Sequence, residues 1–174
     1  MYKILSSISI SIALILINVS GVQAQVFIAG QSGTIKSQVL DNGYDHRVEN
    51  LRNYLQKYNS PLTEYAADFV SYADVYGLDY RLVPAITGVE STYGKRIPYK
   101  SYNAYGWANG EYKFNSWEDS IGHVSMSLRT KYIDKGAGTI NKIARRYAPP
   151  SVTWAPKVKN IMGKIDKLPL SYDI

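Results

Sequence analysis

Cysteine is absent from the 174-residue chain, which excludes a disulfide framework, a thiolate metal site and a cysteine nucleophile. Histidine is nearly absent too. His46 and His123 stand far apart without ligand-like spacing, so neither a metal centre nor any other cofactor is expected. Phenylalanine and tryptophan are scarce, at three each, whereas tyrosine supplies 16 of the aromatic residues. Acidic residues (14) are outnumbered by Lys and Arg (20), giving a formal net charge of +6. A hydrophobic content of 45% is too high for a chain that stays disordered.

The apolar weight is uneven. Met1-Tyr2-Lys3 precedes an uncharged run from Ile4 to Val19, and Val22-Gln23-Ala24 places small residues where a signal peptidase reads them. These three parts predict a secretory signal peptide over residues 1–24 and a secreted or cell-wall protein. The alternative is an uncleaved membrane anchor, but the densest stretch, Ile8 to Ile17, is short for about 30 Å of hydrocarbon. The mature chain is expected to have no stable membrane span. A domain of its size buries about 68–70% of its unfolded surface, enough for a core without covalent staples.

Residues 25–43 show no sustained period and read as a tail or linker, and residues 44–174 read as one mainly α domain, acting as a monomer. Val48, Leu51, Leu55 and Tyr58 repeat at helical spacing. Ser60-Pro61 signals a second helix, with Leu62 to Tyr76 as its stripe and Gly77 as its stop. Asp79 can cap a third, which carries Leu82, Ile86 and Val89 and is closed by Gly94. Asn109-Gly110 suggests a type I′ turn in a small β-hairpin over about residues 105–114. In that register Trp107 faces Tyr112 and Tyr105 faces Phe114, which puts four aromatics on one side. Such a face is either a platform for sugar rings or the side that docks on the helices. Ser116-Trp117-Glu118-Asp119 reads as a capping-box variant before a helix with Ile121, Val124, Leu128 and Tyr132. A short helix through Tyr147 is stopped by Pro149-Pro150, and Trp154 to Leu168 form a final stripe.

Glu90 is the most informative carboxylate. It lies at the C-terminal end of an apolar helix, where desolvation and the negative end of the helix dipole both raise a carboxyl pKa. A carboxyl kept protonated near neutrality is what a general acid requires. Lys95 and Arg96 would act in the opposite sense, and an ordinary exposed helix-end glutamate has the same spacing. Gly88, two residues earlier, allows another element or a ligand to approach closely.

Glu90-Ser91-Thr92-Tyr93-Gly94-Lys95 resembles the Glu-Ser-Gly-Trp-Gly-Lys stretch of the glucosaminidase family (glycoside hydrolase family 73) of the lysozyme-like superfamily. Tyr102-Asn103-Ala104-Tyr105-Gly106-Trp107 is similar to its Asn-Asn-Leu-Phe-Gly-Ile segment. Phe114 to Ile121 resembles its aromatic-x-Ser-x-x-Glu-Ser-Ile segment, with Asp119 at the Glu position. Tyr147-Ala148 and Trp154-Ala155-x-Lys157-Val158 look like its C-terminal helix entry, and Tyr76-Gly77-Leu78-Asp79 is also similar to soluble lytic transglycosylases. The resemblance covers about residues 61–167. It implies a lysozyme-like helical fold that cleaves β-1,4 linkages of peptidoglycan, with Glu90 as general acid. Ser91, Tyr93 and Asn103 become candidate substrate-binding positions through the motifs, Tyr105, Trp107 and Tyr112 through the aromatic face, and Tyr147 through the position of a substrate-proximal tyrosine. Tyr93 and Trp107 depart from the family's Trp and aliphatic residue.

Glycosidases generally pair two carboxyl groups. Candidates for the second are Glu111, at the hairpin tip, Glu118 and Asp119; the last two also suit a helix N-terminus, where negative charge is favoured. With no second carboxylate, the sugar's own acetamido oxygen can attack the anomeric carbon. In lytic transglycosylases its 6-hydroxyl does so instead. Between Arg129 and Lys167 stand ten basic and two acidic residues, a field that favours anionic wall polymers. The same field would attract nucleic acid, a partner that export argues against. A non-catalytic wall-binding protein of the same fold is the alternative to an enzyme.

Overall fold

Residues 45–167 are described by a computed structural model, and their regular structure is helical, with no strand among the described residues. The expected signal peptide, the 25–43 linker and the last residue of the final stripe, Leu168, lie outside this range. Among the described residues no helix is long and apolar enough to cross a membrane.

Local sequence explains most helix ends. Helix α1 (His46–Lys57) is capped by Asp45, whose carboxylate accepts from the Arg47 amide at 2.9 Å. Ser60 does accept from the Leu62 amide, but no α-helix starts there: a 3-10 segment at Thr63–Tyr65, without a side-chain cap of its own, comes first. Helix α2 proper runs Ala66–Tyr76 and ends on left-handed Gly77, as expected. Helix α3 (Leu82–Ser91) starts beyond Asp79, which accepts from the Arg81 amide. It stops earlier than Gly94, because Thr92 and Tyr93 both turn left-handed (φ 53° and 59°) and the Tyr93 amide returns to the Thr87 carbonyl. Helix α4 (Trp117–Ser127) begins as the capping box predicts, with Ser116 Oγ accepting from the Asp119 amide. The Asp119 carboxylate reaches back to the Asn115 amide, one residue before the cap. The stripe to Tyr132 is not one α-helix: a π turn (Leu128–Tyr132) and a 3-10 turn (Ile133–Lys135) complete it. Helix α5 (Ile140–Tyr147) is capped by Thr139, and α6 runs Trp154–Ile165.

Helix α3 is the central element. Leu82 to Thr87 are all buried, and it packs against α6, while α2 packs against α4. Gly88 makes the α3–α6 contact possible: a Cβ there would lie 2.9 Å from Ile161 Cδ1 and 2.5 Å from Tyr93 Cε1. A buried ion pair, Arg81 Nη2 to Asp79 Oδ2 at 2.5 Å, anchors the start of α3. Arg81 also donates to the Asp166 carbonyl, and the Asp166 carboxylate accepts from Tyr80 and Asn50. These bonds join α1, α3 and the end of α6.

The expected β-hairpin is not formed. Asn109 and Gly110 do turn left-handed, and the Glu111 amide donates to the Ala108 carbonyl as a I′ turn requires. Ala108 is left-handed as well, so Trp107–Gly110 folds into a tight left-handed turn where two extended strands were expected. Asn103 braces this turn. Its side-chain amide donates to the carbonyls of Trp107 (2.8 Å) and Tyr112 (3.1 Å), and its oxygen accepts from the Trp107 amide. The aromatic pairs still meet, Trp107 with Tyr112 at 6.0 Å and Tyr105 with Phe114 at 6.2 Å between ring centres.

Candidate active site

Glu90 projects from the last turn of α3 toward the first residue of α6. Its Oε1 accepts from the Trp154 indole N–H at 2.6 Å. Its Oε2 points at Gly106, where a Cβ would stand 3.1 Å away. Gly106 is left-handed (φ 71°), so backbone conformation and space both favour glycine. The side chain remains exposed, yet protein packed around the carboxyl raises its pKa above the ordinary 4.5 by desolvation, and the Trp154 bond opposes part of that rise. No neighbouring carboxylate contributes to the shift.

The indole fixes more than position. A tryptophan N–H only donates, so Oε1 must be an acceptor in both protonation states. The better acceptor is the carbonyl oxygen of a neutral acid, which favours the proton on Oε2, the oxygen facing Gly106.

Tyr147 completes this wall. Its ring stacks on Trp154 (5.1 Å, 30°), and its hydroxyl donates to the Tyr105 carbonyl at 2.8 Å. Burial, followed by the charge of Glu90, pushes the Tyr147 pKa well above 10, so the phenol stays neutral and acts as a donor. Beyond it opens a cavity of about 390 Å³, lined by Tyr105 to Asn109 on one side and by Ser127, Lys131, Tyr132 and Tyr147 on the other. A larger cleft of about 600 Å³, around Arg145, Pro149 and Val152, contains no carboxylate.

The other expected site residues separate into groups. Ser91 is buried, its single hydroxyl proton shared between the Thr87 and Ala104 carbonyls while its oxygen accepts from the Gly94 amide, so it ties the end of α3 to the 104 loop. Tyr93 is buried in a tyrosine cluster with Tyr54 and Tyr58, its hydroxyl 2.8 Å from that of Tyr54. Asn103 is the buried organiser of the 103–112 loop. Tyr105 is fully buried and offers its carbonyl rather than its ring. Trp107 is half-buried and Tyr112 is 40% exposed, both packed against His123 of α4. The aromatic face thus divides, Tyr105 and Phe114 docking on the helices while Trp107 lines the cavity. Glu111 and Glu118 are both exposed, and Glu118 lies in the first turn of α4. No carboxylate pairs with Glu90 among the described residues.

Trp154, Ser127, Lys131 and Tyr132 were not singled out as site residues from sequence. Trp154 and Tyr132 read as members of apolar stripes, and only the resemblance around Tyr147 and Trp154 hinted at more. Among the described residues no cluster of His, Asp and Glu could hold a metal ion. No protein-family model matches the sequence, and no curated protein matches it.

Proposed function

We propose that the protein is an exported peptidoglycan-cleaving glycosidase of lysozyme-like fold, acting on β-1,4 linkages with Glu90 as general acid. The observation that carries this reading is the geometry of Glu90: a carboxyl with raised pKa, one oxygen held by Trp154 and the other against Gly106, a residue that also lines the cavity. Glu90 protonates the glycosidic oxygen through Oε2 as the bond from that oxygen to the anomeric carbon breaks. Tyr147 and Trp107 offer ring faces for sugar C–H surfaces, and their place in the cavity that Gly106 also lines supports a carbohydrate there.

A second reading is favoured by one specific observation, the lack of a carboxylate beside Glu90 among the described residues. A single acid suits chemistry in which the substrate supplies its own nucleophile. Either the acetamido oxygen attacks the anomeric carbon and water later opens the ring, or the sugar 6-hydroxyl attacks, returning its proton to Glu90 and leaving an anhydro sugar. The latter outcome is that of a lytic transglycosylase.

The test is digestion of purified peptidoglycan with mass analysis of the fragments. Anhydro ends indicate transglycosylation and reducing N-acetylglucosamine ends indicate hydrolysis. Glu90→Gln should lower turnover by about 10²-fold or more, the range for loss of a positioned acid. A Glu90→Gln protein as active as wild type would remove Glu90 from the reaction. Binding to the wall without any cleavage would favour the non-catalytic alternative.

A further inference from the structure

The cleft of about 600 Å³ between α5 and α6 has a lining unlike that of the candidate active site. Pro149, Pro150, Val152 and Pro156, with three alanines, make most of its wall. No aromatic ring is among its lining residues, and Arg145 is the one charged residue there. Without ring faces it offers no platform for a sugar.

The link from Ala148 to Thr153 shapes this cleft and is tied down without being packed away. The Ser151 amide donates to the Ala148 carbonyl at 2.8 Å, and the Ser151 hydroxyl accepts from the Trp154 amide at 3.2 Å. These turns leave Val152 87% exposed, the most exposed large hydrophobic side chain among the described residues. Pro149 and Pro150 are exposed in the same link. A single exposed valine is ordinary, but a tethered apolar tip on an open apolar cleft forms a contiguous patch, and such patches mark interaction sites.

The charge around the tip is of one sign. Helix α5 carries Lys142, Arg145 and Arg146, helix α6 carries Lys157, Lys159 and Lys164, and neither helix has an acidic residue. Arg146 is engaged with the carbonyls of Tyr132 and Lys135. Lys142, Arg145 and Lys157 are exposed and enter no ion pair among the described residues. Arg145 lines the cleft, and the two lysines follow lining residues directly in sequence.

We infer that this face docks on a lipid bilayer containing anionic lipid, lying on it without crossing it. The Pro149–Val152 tip enters the apolar side of the interface, and Lys142, Arg145 and Lys157 meet the head groups. An apolar centre flanked by cations is what an interfacial anchor requires, and each cation adds an attraction that salt weakens. A hydrophilic polyanion would match the cations but leave the apolar tip in water, which favours the bilayer over a wall polymer. The tip joins Tyr147 to Trp154, the stacked pair whose indole holds Glu90, so docking brings the candidate acid to the membrane face. Docking itself does not depend on the chemistry at Glu90 and is read without turnover.

The test is flotation of the mature chain, freed of the apolar residues 4–19 that would themselves bind lipid. Vesicles of neutral phosphatidylcholine are compared with vesicles that also contain anionic phosphatidylglycerol. The mixed vesicles should capture the protein about tenfold or more tightly, and added salt should weaken capture. Val152→Ser removes apolar surface without altering charge and should weaken capture about fivefold. Joint replacement of Lys142, Arg145 and Lys157 by Gln should weaken it about 100-fold. All four side chains are exposed, so the fold tolerates these changes. Because the chain has no cysteine, Val152→Cys gives a unique site for a polarity-sensitive dye. Its emission should shift to the blue on mixed vesicles, whereas the same dye at Val75→Cys on α2, also an exposed valine, should not respond. No capture, equal capture by neutral vesicles, or an unshifted dye at position 152 would overturn the docking. Soluble polyphosphate held as tightly as the vesicles, with Val152→Ser matching wild type, would overturn it in favour of a polyanion surface. Docking by a protein that cleaves no glycan would keep the docking and remove the glycosidase, whereas Glu90-dependent cleavage without docking would do the reverse.

Discussion

Glu90 and Trp154 form a couple in which one side chain sets the proton affinity of the other. Removing the indole donor takes a hydrogen bond from the carboxylate form, so Trp154→Phe should raise the Glu90 pKa further. A general acid works while protonated, so the alkaline limb of the kcat profile should move to higher pH, with kcat itself several-fold lower. An unmoved limb would show that the indole does not tune the acid. Stability should carry the same signature. Because burial raises the folded-state pKa above 4.5, folding favours protonated Glu90, and the folded form is disfavoured as the pH rises through and beyond that pKa. Glu90→Gln should therefore match wild type in thermal stability near about pH 3 and exceed it slightly near about pH 8, the excess being small because Glu90 is exposed. Glu90 could be picked out from its helix-end position and its motif. Its indole partner, 64 positions along the chain, could not, since a tryptophan at the head of an apolar stripe is equally a core residue.

Among the elements, the 103–112 loop shows why correct turn chemistry did not yield strands. Asn109-Gly110 adopts the expected left-handed pair, and Trp107 does meet Tyr112. A hairpin ladder, however, needs Ala108 extended, and Ala108 is left-handed, so the Tyr112 amide returns to the Trp107 carbonyl while the Asn103 side chain donates to the carbonyls of Trp107 and Tyr112. Asn103, four positions before Trp107, holds the turn in this form by satisfying carbonyls that no strand partner reaches. Asn103→Ala should strip this loop of its organiser and cost about 1–3 kcal/mol, the penalty for buried polar groups left unpaired. Chemical denaturation would measure it, and a loss below about 0.5 kcal/mol would show that the loop holds itself. Because this loop carries Gly106 and Trp107 to the cavity, cleavage should fall with it. The helices were legible because periodicity and caps are local properties: Ser116 caps where its sequence suggests, and Asp45 and Thr139 cap in the same local way. The π turn was not, since the Leu128–Tyr132 pattern fits an uninterrupted helix equally well.

At the scale of the whole molecule, the buried Arg81 joins elements that are distant in sequence. It pairs with Asp79 and reaches the end of α6 through Asp166, whose carboxylate also holds Tyr80 and Asn50 of α1. Removing one member of such a pair leaves an uncompensated buried charge. Arg81→Met should cost about 3–5 kcal/mol by denaturant titration, and a second change, Asp79→Leu, should recover part of it. A loss below about 1 kcal/mol would mean that water solvates Asp79 in the variant. This network fixes the relation of α3 to α6, and hence of Glu90 to Trp154, so its loss should also reduce turnover.

Sequence alone determined the helical character, most helix starts and the candidate acid, because each depends on residues within a turn or two of one another. It also excluded thiol chemistry and gave no spacing for a metal site, since those need residue types that the chain lacks or barely contains. Tertiary structure decided everything that depends on residues meeting from far along the chain. It placed Trp154 on Glu90, buried Ser91 and Tyr93 as structural groups, and divided the aromatic face between core and cavity. It also turned Ser127, Lys131 and Tyr132 toward the same space. Which side of an amphipathic helix becomes a wall and which becomes a core is set by the neighbour that packs against it, and one chain segment does not encode its neighbour.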